Sequence, residues 1–306
     1  MDTYALKERL KERIEYSRWM KAALALPIAI RRLFLAQSAR QAIRRYERTV
    51  VGGRVVISPQ NIEGRFRVSA ISDTAKHVIK TGSYEPEMTK LLKRFKPISG
   101  HVINVGANVG FYPVFLARLF PDAQMVYAIE PNSEAYKDLE WNIAENGCQS
   151  RVKTIQICIG ESTGEVEFAV VPGMPEYSSI ERIVPMFADE SKQQIAKVKI
   201  LPLELAISDP DLHPELILVD TEGAELHVFR GAEGVLQRHM PVLIFECDDR
   251  LLGKFGHSTQ MLEQYLNSIG YLVRNAFAPR HPLQHPFIGE AIAFRPDMQS
   301  WVHGLG

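Results

Sequence analysis

From residue 100 onward the chain alternates short apolar runs with amphipathic stretches, and this rhythm constrains its fold more than any other feature. Apolar runs fall at 101–105, 124–130, 152–159, 215–220, 241–246 and 270–275, with helical patterns at 110–120, 133–146, 224–239 and 258–268. Strands that are apolar on both faces need cover on both faces, which crossover helices between parallel strands supply. The pattern therefore predicts an α/β fold with a doubly wound sheet. One crossover departs from the rhythm, because 164–171 and 197–203 have strand character and enclose a polar insert, 172–196. The closing run Ala291-Ile-Ala-Phe294 follows the preceding strand without a helical pattern between them, so it is expected to run antiparallel.

Ahead of this region, residues 50–72 have period-two apolar character broken by glycines and predict one or two short strands. Residues 4–20 and 28–46 have the spacing of two helices. Residues 1–50 carry twelve Lys/Arg against five Asp/Glu, although the 306-residue chain as a whole has a formal net charge of zero. These features divide the chain into a basic helical appendage (1–50), short lead-in strands (51–80) and a main domain (81–306) whose insert is placed to act as a substrate lid. The basic segment suits a homodimer contact or a peripheral membrane contact. A neutral chain has no field to steer nucleic acid, so no nucleic-acid partner is expected. Three scattered cysteines, Cys148, Cys158 and Cys247, have neither metal-ligand spacing nor an even count, and fit a cytoplasmic location. The run Ala22–Ile30 is too short to span a bilayer.

Three motifs carry chemistry. In His101-Val-Ile-Asn-Val-Gly-Ala-Asn-Val-Gly110 a strand enters a turn where Gly106 can take a backbone angle closed to other residues, Asn108 tolerates a left-handed one, and Gly110 lets a helix approach closely. Glu130-Pro131 follows the next strand, where a carboxylate can accept hydrogen bonds from ribose hydroxyls. Asp220-Thr-Glu222-Gly-Ala-Glu225 places acids at a strand exit, the edge at which open α/β sheets bind ligands. Glu225 is better explained as compensation of the following helix's dipole.

Together these motifs resemble the FkbM family of S-adenosylmethionine-dependent methyltransferases, with the likeness running from Gly82-Ser-Tyr-Glu85-Pro86 to Pro241-Val-Leu-Ile-Phe-Glu246. The resemblance implies a class I methyltransferase, Rossmann-like sheet of strand order 3-2-1-4-5-7-6, and O-methylation of a hydroxyl on a sugar, glycolipid or polyketide-type small molecule. Carried over by position, Asn104, Gly106, Asn108 and Gly110 would meet the methionine part of the cofactor. Glu130 and Pro131 would meet the ribose, Cys158 and Ile159 the adenine, and Asp220 the region of the sulfonium. The chain departs from the family at Asn104, where Asp is usual, and at Leu218, where Lys is usual.

Methyl transfer to an alcohol needs a base for the hydroxyl proton. Asp220 and Glu222 are the leading candidates, then Glu85, with His227 and Glu246 behind them. Asp220, Glu222, Glu246, Asp248 and Asp249 offer hard oxygen ligands, but no spacing fixes a set, and the expectation is a site without metal. Two other classes compete. An NAD-dependent oxidoreductase or epimerase lacks its glycine pattern here, and a non-catalytic cofactor-binding module is favoured only by Asn104.

Overall fold

A computed structural model describes residues 53–178, 180 and 194–305. The two N-terminal helices expected from the sequence lie outside the described residues, as does most of the insert.

Strands β1 (Arg54–Ile57) and β2 (Phe66–Ser69) form an antiparallel pair, as the period-two pattern predicts. Two helices that the sequence pattern did not reveal follow: α1 (Asp73–Thr81), capped by the Ser72 side chain, and α2 (Pro86–Leu92), with Pro86 at its first turn. The main body then runs β3 (His101–Val105), α3 (Phe111–Leu119), β4 (Met125–Ile129), α4 (Ser133–Glu145), β5 (Val152–Ile155), β6 (Cys158–Ile159), β7 (Gly164–Val170) and β8 (Gln194–Leu201). It continues with α5 (Leu203–Ala206), β9 (Pro214–Val219), α6 (Glu225–Gly231), α7 (Glu233–His239), β10 (Val242–Asp248), α8 (Asp249–Leu252), α9 (Thr259–Ser268), β11 (Leu272–Asn275), β12 (Ile288–Phe294) and α10 (Gln299–His303).

Seven strands form the main sheet in the order β11-β12-β10-β9-β3-β4-β5. Renumbered along the chain within that sheet, this is the doubly wound order 3-2-1-4-5-7-6, and β12 pairs antiparallel with both β10 and β11. Alternation sorts its side chains into two layers. Val102, Val126 and Leu216 face α3 and α4, whereas Ile103, Tyr127, Ile217 and Phe245 face α6, α7 and α9.

Two predicted boundaries are corrected. The run 152–159 is not one strand: β5 stays in the main sheet, while β6 leaves it to pair with β8 in a separate three-stranded sheet. The helix expected over 224–239 is two, parted at Ala232. At this break Gly231 packs on the backbone of Gly160, where a Cβ would fall 2.4 Å from the Gly160 carbonyl carbon.

The β1/β2 pair is fastened to α4 by charge. Asp138, buried on the helix, accepts from Nε of both Arg54 and Arg67 at 2.6 Å. Asn142, fully buried one helical turn on, accepts from the Arg67 backbone N–H and donates to the Val109 carbonyl. The lead-in strands are thereby tied to the turn that opens α3. Among the described residues no helix is long and apolar enough to cross a membrane.

Candidate active site

The carboxyl ends of β3, β4 and β9 open into a cleft of about 310 Å³. It forms beside the turn between β3 and α3, where the sheet order reverses and open α/β folds bind their ligands.

Backbone geometry makes the floor. The N–H groups of Gly106 and Ala107 both donate to the Ile129 carbonyl at 2.9 Å, and Asp220 N–H donates to Val105 at 3.0 Å, so the three strand ends are stitched together. Gly106 has φ 82°, and a Cβ there would lie 1.7 Å from the Asp220 carbonyl oxygen, so only glycine fits. Asn108 is left-handed at φ 47°. Its N–H donates to Glu130 Oε2 at 2.8 Å, while Glu130 Oε1 accepts from Asn132 N–H at 2.8 Å. Burial outweighs these two bonds and pushes the Glu130 carboxyl up to about 7.

Of the residues singled out from sequence, Glu85, Gly106, Asn108, Glu130, Pro131, Cys158, Ile159, Asp220, Glu222 and Glu246 all line the cleft. Two do not. Gly110 sits behind it, where a Cβ would meet Leu139 Cδ1 at 2.6 Å, so it serves the packing of α3 on α4 rather than a ligand. Asn104 points into a smaller cavity of about 20 Å³, bordered also by Glu85, Tyr112, Asp220 and Glu290. Asn104 is 1% exposed, and neither its Oδ1 nor its Nδ2 has a hydrogen-bond partner. Its strand partner across β3 and β9 is Leu218, so both departures from the family pattern fall on one cross-strand pair.

Carboxylates dominate the lining. Glu85, Glu130, Glu176, Asp220, Glu222, Glu246 and Glu290 contribute to it, and no Lys, Arg or His does so among the described residues. Burial, then their mutual repulsion, raises their proton affinities: Glu222 to about 7, Glu246 to about 9, Glu290 to about 7 and Asp220 well above the ordinary range. Lys254 offsets part of this at Glu222. Asp220, Glu222 and Glu246 each place one carboxylate oxygen within 4.8 Å of the others. Asp248 and Asp249 are engaged elsewhere, the first capping α8 and pairing with Arg250, the second accepting from the N–H groups of Thr259 and Phe287.

Glu225 stands in the first turn of α6, where its charge opposes the helix dipole as expected, and it accepts from Thr221 N–H, Thr221 Oγ1 and Gly223 N–H in the turn before the helix rather than capping it. This bracket holds Glu222 left-handed at φ 56°. His227 pairs with Glu161 at 3.2 Å outside the cleft lining.

The sequence pattern missed Tyr84, Tyr112, Glu176 and Glu290. Glu85 is left-handed (φ 37°) at the start of α2, and its carboxylate is gripped by the hydroxyls of Tyr112 and Tyr84. Tyr84 stacks on Phe111 at 4.2 Å, which stacks on Phe66 at 4.5 Å, so β2 and α3 together aim this acid at the cleft. Glu290 stands opposite Glu246 in the β10/β12 register. A single acid in the apolar run Ile288–Phe294 was the available signal for it. At the start of the insert, Ser178 accepts from Asn132 Nδ2 at 2.9 Å and lines the cleft.

The Methyltransferase FkbM domain family matches residues 104–273, more than half of the chain. Methyltransferase sdnD of Sordaria araneosa is 27% identical over 161 residues, covering 45% of this chain and 62% of that protein. Methyltransferase 1 of Beauveria bassiana is 24% identical over 182 residues, covering 55% of this chain and 72% of that one. The crystal structure of a methyltransferase FkbM from Methylobacillus flagellatus superposes with a TM-score of 0.42 at 19% identity, over 64% of this chain and 43% of that one.

Proposed function

Because the chain belongs to the FkbM methyltransferase domain family, we propose that it methylates a hydroxyl oxygen of a small organic acceptor, a sugar, glycolipid or polyketide-type compound, with S-adenosylmethionine as donor. The observation that carries this reading is the convergence of the Gly106 turn, Glu130 and the Asp220/Glu222 pair on one cleft. When bound, S-adenosylmethionine supplies a methyl group already activated by a positively charged sulfur.

The lining fits such a molecule. Gly106 leaves bare backbone on the floor, and Glu130 keeps lone pairs beyond its two backbone bonds for ribose hydroxyls. Cys158 and Ile159 give an apolar flank for a flat base. Burial pushes the Cys158 thiol up to about 12, so it serves as a small apolar group. The acids suit a cationic cofactor.

Displacement at carbon needs the acceptor oxygen held in line with the bond being broken, and walls fixed by three strand ends meet that need. Asp220, open to the cleft at the end of β9, takes the acceptor's proton, with Glu222 and Glu85 within the same lining. A carboxylate of raised proton affinity is a stronger base than a solvated one. In-line transfer from an activated donor requires no Lewis acid, so the reaction is proposed to proceed without a divalent ion.

Incubation of the purified chain with methyl-labelled donor and a panel of sugars, glycolipids and polyketide alcohols tests this reading. A labelled methoxy product supports it. Donor binding without transfer to any hydroxyl would favour a non-catalytic module instead.

A further inference from the structure

The first residues of the insert make a set of bonds that the transfer itself does not use. Segment 173–178 follows β7, and its Pro175, Glu176 and Ser178 line the cleft together with Glu130 and Asp220. No side chain described in this segment is buried, so apolar packing contributes little to holding it. Polar bonds hold it instead, and they end on the N-terminal turns of two helices. Glu176 accepts from the Asp73 N–H at 2.6 Å. The Ser72 side chain caps α1 through the Ala75 N–H, so Glu176 satisfies a first-turn donor that Ser72 does not reach, at the positive end of the helix dipole. On α4, Glu134 Oε2 accepts from the Gly173 N–H at 3.2 Å, and Nδ2 of Asn132, that helix's cap, donates to Ser178 Oγ at 2.9 Å.

Asn132 connects this segment to the site. Its N–H donates to Glu130 Oε1 and its Oδ1 caps α4, so one residue joins the carboxylate assigned to the ribose, the helix and Ser178. We propose that 173–178 is a strap across the cofactor, latched by Glu176 on α1 and by Ser178 on Asn132, and that its release gates the entry of S-adenosylmethionine and the departure of S-adenosylhomocysteine. The inference rests on the reading of the cleft as the cofactor's site and adds the step that controls exchange. A segment fixed by a few polar bonds opens far more easily than the packed sheet beneath it, and such openings set the turnover of many enzymes. A gate differs from a wall in its kinetics. Weakening a gate speeds passage in both directions, whereas removing a contact to bound ligand speeds departure alone.

Surface plasmon resonance on the immobilised full-length chain gives association and dissociation rates for S-adenosylhomocysteine in wild type, Glu176→Ala and Ser178→Ala. Both rates should rise together in each variant, by roughly tenfold in Glu176→Ala, where a charge-assisted bond is lost, and by less in Ser178→Ala. The dissociation constant should move much less than either rate. Melting curves check the fold, and if Glu176→Ala does not fold, Ser178→Ala, which loses a single hydroxyl, decides the matter. Rates unchanged from wild type overturn the proposal. Faster dissociation with unchanged association, so that affinity falls in proportion, overturns it too, because these residues would then only line the site. Failure of S-adenosylhomocysteine to bind the wild type is a separate result, which strikes at the methyltransferase reading.

Discussion

Glu130, at the end of one strand, accepts the backbone N–H of Asn108 in the turn after the neighbouring strand at 2.8 Å. The acid expected to meet a ribose thus also holds the glycine turn in shape. Site and fold depend on the same carboxylate, and removing it disturbs both.

Asp220 is the group most directly committed to chemistry. Asp220→Asn keeps the shape but cannot accept a proton, so kcat should fall by roughly 10²-fold or more with much less change in donor affinity. Single-turnover rates together with donor titration check this. Undiminished turnover would remove Asp220 from its role.

Tyr112 is expected to tune Glu85. Burial raises the Glu85 carboxyl, and the Tyr112 hydroxyl opposes that by donating to it. Tyr112→Phe removes the donor, so the Glu85 carboxyl should rise further and the acidic limb of the kcat/KM profile should move to higher pH. A pH–rate profile identical to wild type would show that Glu85 takes no part in proton transfer.

Much of the site was legible in the sequence because its parts are local. A strand, a glycine turn and an acid at the next strand's end are visible in short windows, and Glu85, Asp220 and Glu222 all line the one cleft. What the sequence hid depends on register. Glu290 matters because β12 runs antiparallel and sets it opposite Glu246. Asn104 and Leu218, the two departures from the family resemblance, are far apart in sequence but are strand partners across β3 and β9. Gly110 looked like a ligand-facing glycine because helix packing and cofactor approach call for the same residue; its neighbour Leu139 decides between them.

The acids also set the stability of the ligand-free protein. Glu130, Glu222 and Glu290 are raised to about 7 and Glu246 to about 9 in the folded state. The folded chain therefore binds more protons than the unfolded one between ordinary carboxyl values and pH 9, and stability should fall as pH rises through that window. Melting curves from pH 5 to 9 should show the decline, and Glu246→Gln should flatten its upper part. Parallel curves for the two proteins would contradict the burial of that charge.

Removal of divalent ions tests the metal-free reading. Asp220, Glu222 and Glu246 are near enough to hold an ion, but the proposed displacement does not call for one. EDTA should leave the initial rate intact. Loss of activity restored by Mg²⁺ would assign those three acids to a metal instead.

Titration of the full-length chain with S-adenosylhomocysteine, in wild type and in Glu130→Ala, tests the central claim most directly. One site per chain is expected, with affinity falling well over tenfold in the variant, its folding checked by melting. No binding to the wild type, or an unchanged dissociation constant in Glu130→Ala, would contradict the placement of the cofactor in this cleft.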